Sequence, residues 1–193
     1  MKKQQRQENI ALSLKKLSFL SRSQLQILHR LGGERNANRI LGDMSQYLNS
    51  VRLHEKVYYL NSEGRALVGC EKVFKKTGQI RHYLLRNALY IAYGCPSTWR
   101  NEVKLSVPNE VTVIPDALFE SDGRYVIVEV DCTQKMAVNR EKVRRYRQLI
   151  ALNVFKKPPA FIWITETDYR QKQLTKLCEG LQVRVHLAKD FNL

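Results

Sequence analysis

The sequence predicts a mixed α/β (α+β) protein in two parts, a helical front followed by a sheet with helices packed on it. Three observations predict this. Apolar residues recur at helical spacing through most of the first hundred positions. From Trp99 the period changes to the alternation of strands. The short run AFIWIT (160–165) has the composition of a strand buried on both faces.

At 193 residues the chain can form one large domain or two small ones. No apolar run approaches the roughly 20 residues of a membrane helix. The N-terminus MKKQQRQENIALSLKKLSFL reads as an amphipathic helix of a cytoplasmic protein, since Lys15 and Lys16 interrupt its apolar stretch. Cys70, Cys95, Cys132 and Cys178 are far apart and form no zinc-type pairing, which points to free thiols. The net charge is +15, the signature of a protein that meets a polyanion. Residues 1–104 hold 19 Lys/Arg against 7 Asp/Glu, and residues 105–193 hold 14 against 11. The front of the chain is therefore the better candidate for phosphate contacts.

In SRSQLQILHRLGG, Ser21 or Ser23 can cap a helix carrying Leu25, Ile27, Leu28 and Leu31, ended by Gly32-Gly33. NANRILGDMSQYLNS places Ile40, Leu41, Met44, Tyr47 and Leu48 on one helical face. The other face offers Arg35, Asn38, Arg39, Asp43, Gln46 and Asn49. VRL and KVYYL read as a small hairpin, with Lys56 at the start of its second strand, and Asn61 to Gly64 as a turn or cap. Two helices, a Gly-containing joint and a hairpin outline a winged helix-turn-helix over residues 1–75. In that reading Arg35, Asn38, Arg39, Gln46 and Lys56 are the DNA-binding residues, because Arg, Asn and Gln can read base edges in the major groove. The competing reading is a helical cap whose polar face meets water.

Residues 71–78 read as a linker. QIRHYLLRNALYIAYG follows as a helix with Leu84, Leu85, Ala88, Leu89 and Ile91 on its apolar side. WRNEVKLSV, VTVIPDALFE and RYVIVEV are expected strands. A helix over 134–153 turns Val143, Tyr146, Leu149 and Ile150 inward. AFIWIT, a helix near 168–179 and the strand LQVRVHLA complete the chain.

Asp122-Gly123 is a strong two-residue hairpin signal. It pairs Ser121 with Arg124, and counting back sets Asp116 opposite Glu129, with Asp131 on the same face. Ala117, Phe119, Val126, Val128 and Val130 fall on the reverse face and read as core. Opposed like charges destabilise a sheet. Either a divalent cation such as Mg²⁺ or Mn²⁺ offsets them, or Lys or Arg from the next helix pairs with them on an exposed face.

Taken together, IPDALF and YVIVEVD resemble the PD-(D/E)XK nuclease-like superfamily, with Pro115-Asp116 as the PD element and Glu129-Val130-Asp131 in place of ExK. The resemblance implies an αβββαβ core within residues 79–193. With the front of the chain included, the sequence resembles the replication-relaxation family of plasmid and mobile-element proteins. It departs from the nuclease pattern at Asp131, which stands where the lysine belongs. The resemblance then implies that Asp116 and Glu129 hold the metal and carry catalysis, with Lys142 or Lys135 supplied by the following helix; Asp131, a third carboxylate in the lysine's place, can instead strengthen the metal set. A basic solvated helix face, or contacts to a DNA backbone, is the plainer account of both lysines.

These observations lead to a double-stranded-DNA-binding protein that supports replication or transfer of an extrachromosomal element, alongside replication or transfer proteins and away from membranes. Its nuclease-like domain is inactive in this reading and needs no metal. The alternatives are a Mg²⁺- or Mn²⁺-dependent endonuclease and a transcriptional regulator that uses the nuclease-like domain to form a homodimer.

Overall fold

The computed structural model describes residues 3–73 and 78–191. The protein is mixed α/β and divides into two compact units, Met1–Asn87 and Ala88–Leu193.

In the first unit, α1 (Lys3–Leu17) buries Ile10, Ala11, Leu14 and Leu17, the one stripe its sequence keeps apolar. After β1 (Leu20–Ser21), Ser21 caps α2 (Arg22–His29) through a reciprocal capping box with Gln24. The helix ends at Arg30, in the left-handed conformation at φ 50°, before the glycine pair expected to end it. Leu25 and Leu31 are buried, but Ile27 is 63% exposed and takes no part in the core. Next, α3 (Glu34–Gly42) is shorter than its periodicity suggests. Tight turns follow, with Ser45 N–H donating to Gly42 and Tyr47 N–H to Met44. The chain then enters β2 (Leu48–Arg52), whose ladder with β3 (Lys56–Leu60) claims residues that could have extended the helix. Gln46 thus sits in a turn and Asn49 in a strand, not on the polar face of α3. Met44 and Leu48 stay buried all the same.

Strands β1, β3 and β2 form an antiparallel sheet in that order. Asn61 caps the short α4 (Ser62–Leu67), its side chain accepting from Gly64 N–H at 2.9 Å. A Cβ at Gly64 would lie 2.1 Å from the Tyr47 carbonyl oxygen, so this close approach requires glycine. The helix α5 (Ile80–Ala92) carries the division between the units. Its buried Asn87 donates to the Leu17 and Phe19 carbonyls, at 3.0 and 2.7 Å, which ties its first half to the α1–β1 corner. The expected linker lies ahead of α5, and its residues 74–77 fall outside the described residues.

In the second unit, the two strands expected over 99–120 are broken into four. They are β4 (Arg100–Asn101), β5 (Leu105–Val107), β6 (Val111–Val113) and β7 (Ala117–Ser121). Glu102, at φ 54°, interrupts the first run, and Pro115, which has no N–H to donate, lies in the gap between β6 and β7. Strands β5 and β6 pair as a separate ribbon. The main sheet runs β10-β9-β8-β7-β4, with β8 (Arg124–Asp131), β9 (Ala160–Thr165) and β10 (Val183–Leu187) mutually parallel. Helices α6 (Met136–Ala151) and α7 (Asp168–Leu177) supply the crossovers. Ile127, Val143, Tyr146, Leu149, Phe161, Trp163 and Leu174 share one core cluster. Every residue of β8 from Val126 to Asp131 is buried. The face carrying Glu129 and Asp131 is therefore packed, which corrects the alternative that set these acids on an exposed face.

Candidate functional site

The turn at Asp122-Gly123 puts both residues at positive φ, 52° and 71°. The pairing runs from Ser121–Arg124 to Ala117–Val128. Asp116 lies one residue before β7, at the point where the ladder stops. There its side chain takes over from the backbone, as Val130 N–H donates to Asp116 Oδ2 at 2.7 Å.

Glu129 is 0% exposed. Lys142, reaching across from α6, donates to Glu129 Oε2, and its Nζ lies 3.8 Å from Asp116 Oδ1. The Tyr146 hydroxyl, one helical turn further on, donates to Glu129 Oε1. Asp116, Glu129 and Lys142 thus converge on one point. Burial and then the neighbouring Asp116 charge raise the Glu129 carboxyl well above the usual glutamate range, against the pull of Lys142 and Tyr146. Burial acts to lower Lys142, but the two carboxylates outweigh it and its pKa is raised. Burial and Glu129 together push the Tyr146 phenol well above its ordinary value.

Asp131, also 0% exposed, belongs to a different cluster. Arg170 of α7 grips it with a fork, Nε to Oδ2 and Nη2 to Oδ1, both at 2.6 Å. Asn139 donates to Oδ1 at 2.9 Å, and Thr165 Oγ1 to Oδ2 at 3.1 Å. A second bond from Arg170 Nη2 reaches the Gln134 carbonyl at 2.6 Å, so this one guanidinium fastens α7 to both β8 and the β8–α6 connection. Lys135 is exposed at the N-cap of α6, two turns before Lys142, which is roughly 10 Å along the axis.

Hard carboxylate oxygens suit Mg²⁺ or Mn²⁺. In this arrangement the residues present do not fit such an ion. Both Glu129 oxygens accept hydrogen bonds, one Asp116 oxygen accepts an amide, and the Lys142 ammonium already serves as the counter-charge. Asp131 is saturated by Arg170, Asn139 and Thr165. Among the described residues, no group of three or more His, Cys, Asp or Glu is placed to hold a metal.

On α3, Arg35, Asn38 and Arg39 are exposed, while Ala37, Ile40 and Leu41 are buried behind them. Arg39 Nη2 donates to Asn36 Oδ1 at 2.9 Å, which steadies the guanidinium along the helix surface. Lys56, paired with Arg52 across the β2–β3 hairpin, is exposed as well. Gln46 is exposed in the turn after α3, its carbonyl held by Asn61 Nδ2 at 2.9 Å. Arg35, Asn38 and Arg39 therefore share one surface of one helix, and Gln46 and Lys56 are carried by other segments.

The family model for replication-relaxation matches residues 12–163. The chain belongs to the replication-relaxation family. No curated protein matches the chain. Among solved structures, the crystal structure of protein VC1899 from Vibrio cholerae is similar at a TM-score of 0.44 and 13% identity, covering 96% of this chain and 47% of that one. The present chain thus spans about half the length of that protein. Among the described residues, no helix is long and apolar enough to cross a membrane.

Sequence reasoning missed four of the residues around the acids. In the sequence Tyr146 reads only as core, and Asn139, Thr165 and Arg170 belong to no motif. Asn139, Lys142 and Tyr146 recur at spacings of three and four on the face that also buries Val143, so polar groups on an inward stripe were the available signal. Arg170 lies 39 positions beyond Asp131, and nothing local marks it.

Proposed function

We propose that this replication-relaxation protein binds double-stranded DNA and supports replication or transfer of a plasmid or mobile element, with its first unit working as a winged helix-turn-helix. The observation that carries the reading is the outward face of α3, where Arg35, Asn38 and Arg39 are exposed on a helix anchored by Ala37, Ile40 and Leu41. A helix of this kind fits the major groove, where a guanidinium can bond two acceptors of guanine and an asparagine amide the adenine edge. Lys56 and Arg52 on the hairpin would meet the flanking phosphates. In the second unit the tethered Lys142 does the work a cation would do, so that unit serves as a nuclease-like scaffold without cleavage. A gel-shift with the full chain tests the assignment. Arg39→Ala should weaken binding to duplex and relax its sequence preference, whereas Asp116→Ala should leave both unchanged. Normal binding by Arg39→Ala would remove α3 from the reading.

The second reading is a Mg²⁺- or Mn²⁺-dependent endonuclease, and the convergence of Asp116, Glu129 and Lys142 favours it. That reading requires Lys142 to release Asp116 and Glu129, which would then hold the metal and gain from it the charge that phosphodiester hydrolysis needs. Lys142 would offset charge at the phosphate. Plasmid nicking in either metal, abolished by Asp116→Ala and by Glu129→Ala, would establish this reading over the first.

A further inference from the structure

The first described turns of α1 carry positive charge on one side of a cleft. The first of them holds Lys3 and no acidic residue, and Arg6 follows within the next turn. Lys3, Arg6 and Gln7 line a cleft of about 220 Å³, shared with Arg39, Ile40 and Asp43 from α3 and its end. Three cations thus face one carboxylate. That carboxylate, Asp43, is engaged by Lys3 at 3.1 Å, and its carbonyl by Gln7 Nε2 at 3.5 Å. Arg6 is half-buried in the cleft and has no hydrogen-bond or ion-pair partner among the described residues. A partly desolvated guanidinium without a partner among the described residues, beside two further cations in one cleft, leaves a binding position for an anion.

We infer that this cleft holds a backbone phosphate of the duplex that α3 reads, with Arg6 as its principal donor and Lys3 beside it. The inference rests on the reading of α3 given above. Arg39 belongs to both surfaces, so the cleft continues the base-reading face without a break. A phosphate clamped here would set how far along the groove α3 lies. It would strengthen binding to every sequence alike, because phosphate contacts carry no base information.

The test measures affinity of the full chain for duplex DNA over a range of salt concentrations, with the wild type, Arg6→Ala, Arg6→Gln and Lys172→Ala. Lys172 is an exposed cation on α7 and controls for loss of one charge. Both Arg6 variants should bind roughly three- to fivefold more weakly on preferred and on unrelated sequences. They should also lower the slope of log affinity against log salt by about 0.9, the value of one phosphate contact. Lys172→Ala should match the wild type. Unchanged affinity and slope in both Arg6 variants, with Arg39→Ala still impaired, would overturn the cleft and leave the α3 reading standing. Equal losses in the Arg6 and Lys172 variants would also overturn it, because net charge would then explain the effect. Failure of the wild type to bind any duplex would overturn both readings together.

Discussion

Lys142 on α6 donates to the carboxylate of Glu129 in the middle of the sheet, so a side chain 22% exposed neutralises one that is 0% exposed. The pair also holds Asp116, whose Oδ1 is 3.8 Å from the same ammonium. Removing one member of such a pair costs more than the pair contributes, because the remaining charge stays buried.

Lys142→Met should therefore destabilise the protein by about 3 kcal/mol, near the low end for a buried pair because Glu129 can take up a proton instead. Urea unfolding with matched slopes reads this directly. A loss below about 0.5 kcal/mol would place the ammonium among ordinary surface charges.

Glu129 gives the protein a pH signature. Its folded pKa lies well above the ordinary 4.5, so the folded chain holds this proton more firmly than the unfolded one. The stability this contributes is complete below the unfolded pKa and is lost as pH rises through the folded value. Glu129→Gln has no such titration. The wild type should accordingly lose stability relative to Glu129→Gln as pH is raised above 4.5. Melting temperatures of both proteins across that range decide it, and a constant difference would show that Glu129 titrates normally.

Asp131 and Arg170 should behave as a structural clamp. Asp131→Ala leaves the guanidinium without its bidentate partner and should cost about 3–5 kcal/mol. Arg170→Ala should cost a similar amount, and the double variant much less than the sum of the two. Additive losses would mean that the two residues act through different neighbours.

Gly64 should be intolerant of even a methyl group. The Tyr47 carbonyl that a Cβ would meet at 2.1 Å also accepts Asn61 N–H at 3.1 Å, so the backbone cannot yield without loosening the cap of α4. Gly64→Ala should destabilise the first unit by about 1–3 kcal/mol, as overpacking does. Wild-type stability in thermal unfolding would count against this packing.

Much of the fold was legible in local signals. Ser21, one of two candidate caps with Ser23, marked the start of α2, and Asp122-Gly123 announced a register that the strands follow from Ser121 to Ala117. AFIWIT announced a strand buried from Phe161 to Thr165. The end of α3 was not legible, because the Leu48–Leu60 ladder competes for residues that also suit a helix. The break at Glu102 was hidden for a similar reason, since an apolar–polar alternation says nothing of a residue that turns to positive φ.

By itself, then, the sequence determined the turn, the shared side of β8 on which Glu129 and Asp131 lie, and the stripe of α6 that faces inward. These depend on hydrogen bonds and side-chain periods a few residues long. Only the tertiary structure decided that Lys142 meets Glu129 while Lys135 stays in solvent, and that Asp131 belongs to Arg170. The physical reason is that the seat of α6 over β8 and the reach of α7 across 39 positions are set by packing around Trp163 and Tyr146, a balance of many weak contacts that no short stretch of chain contains.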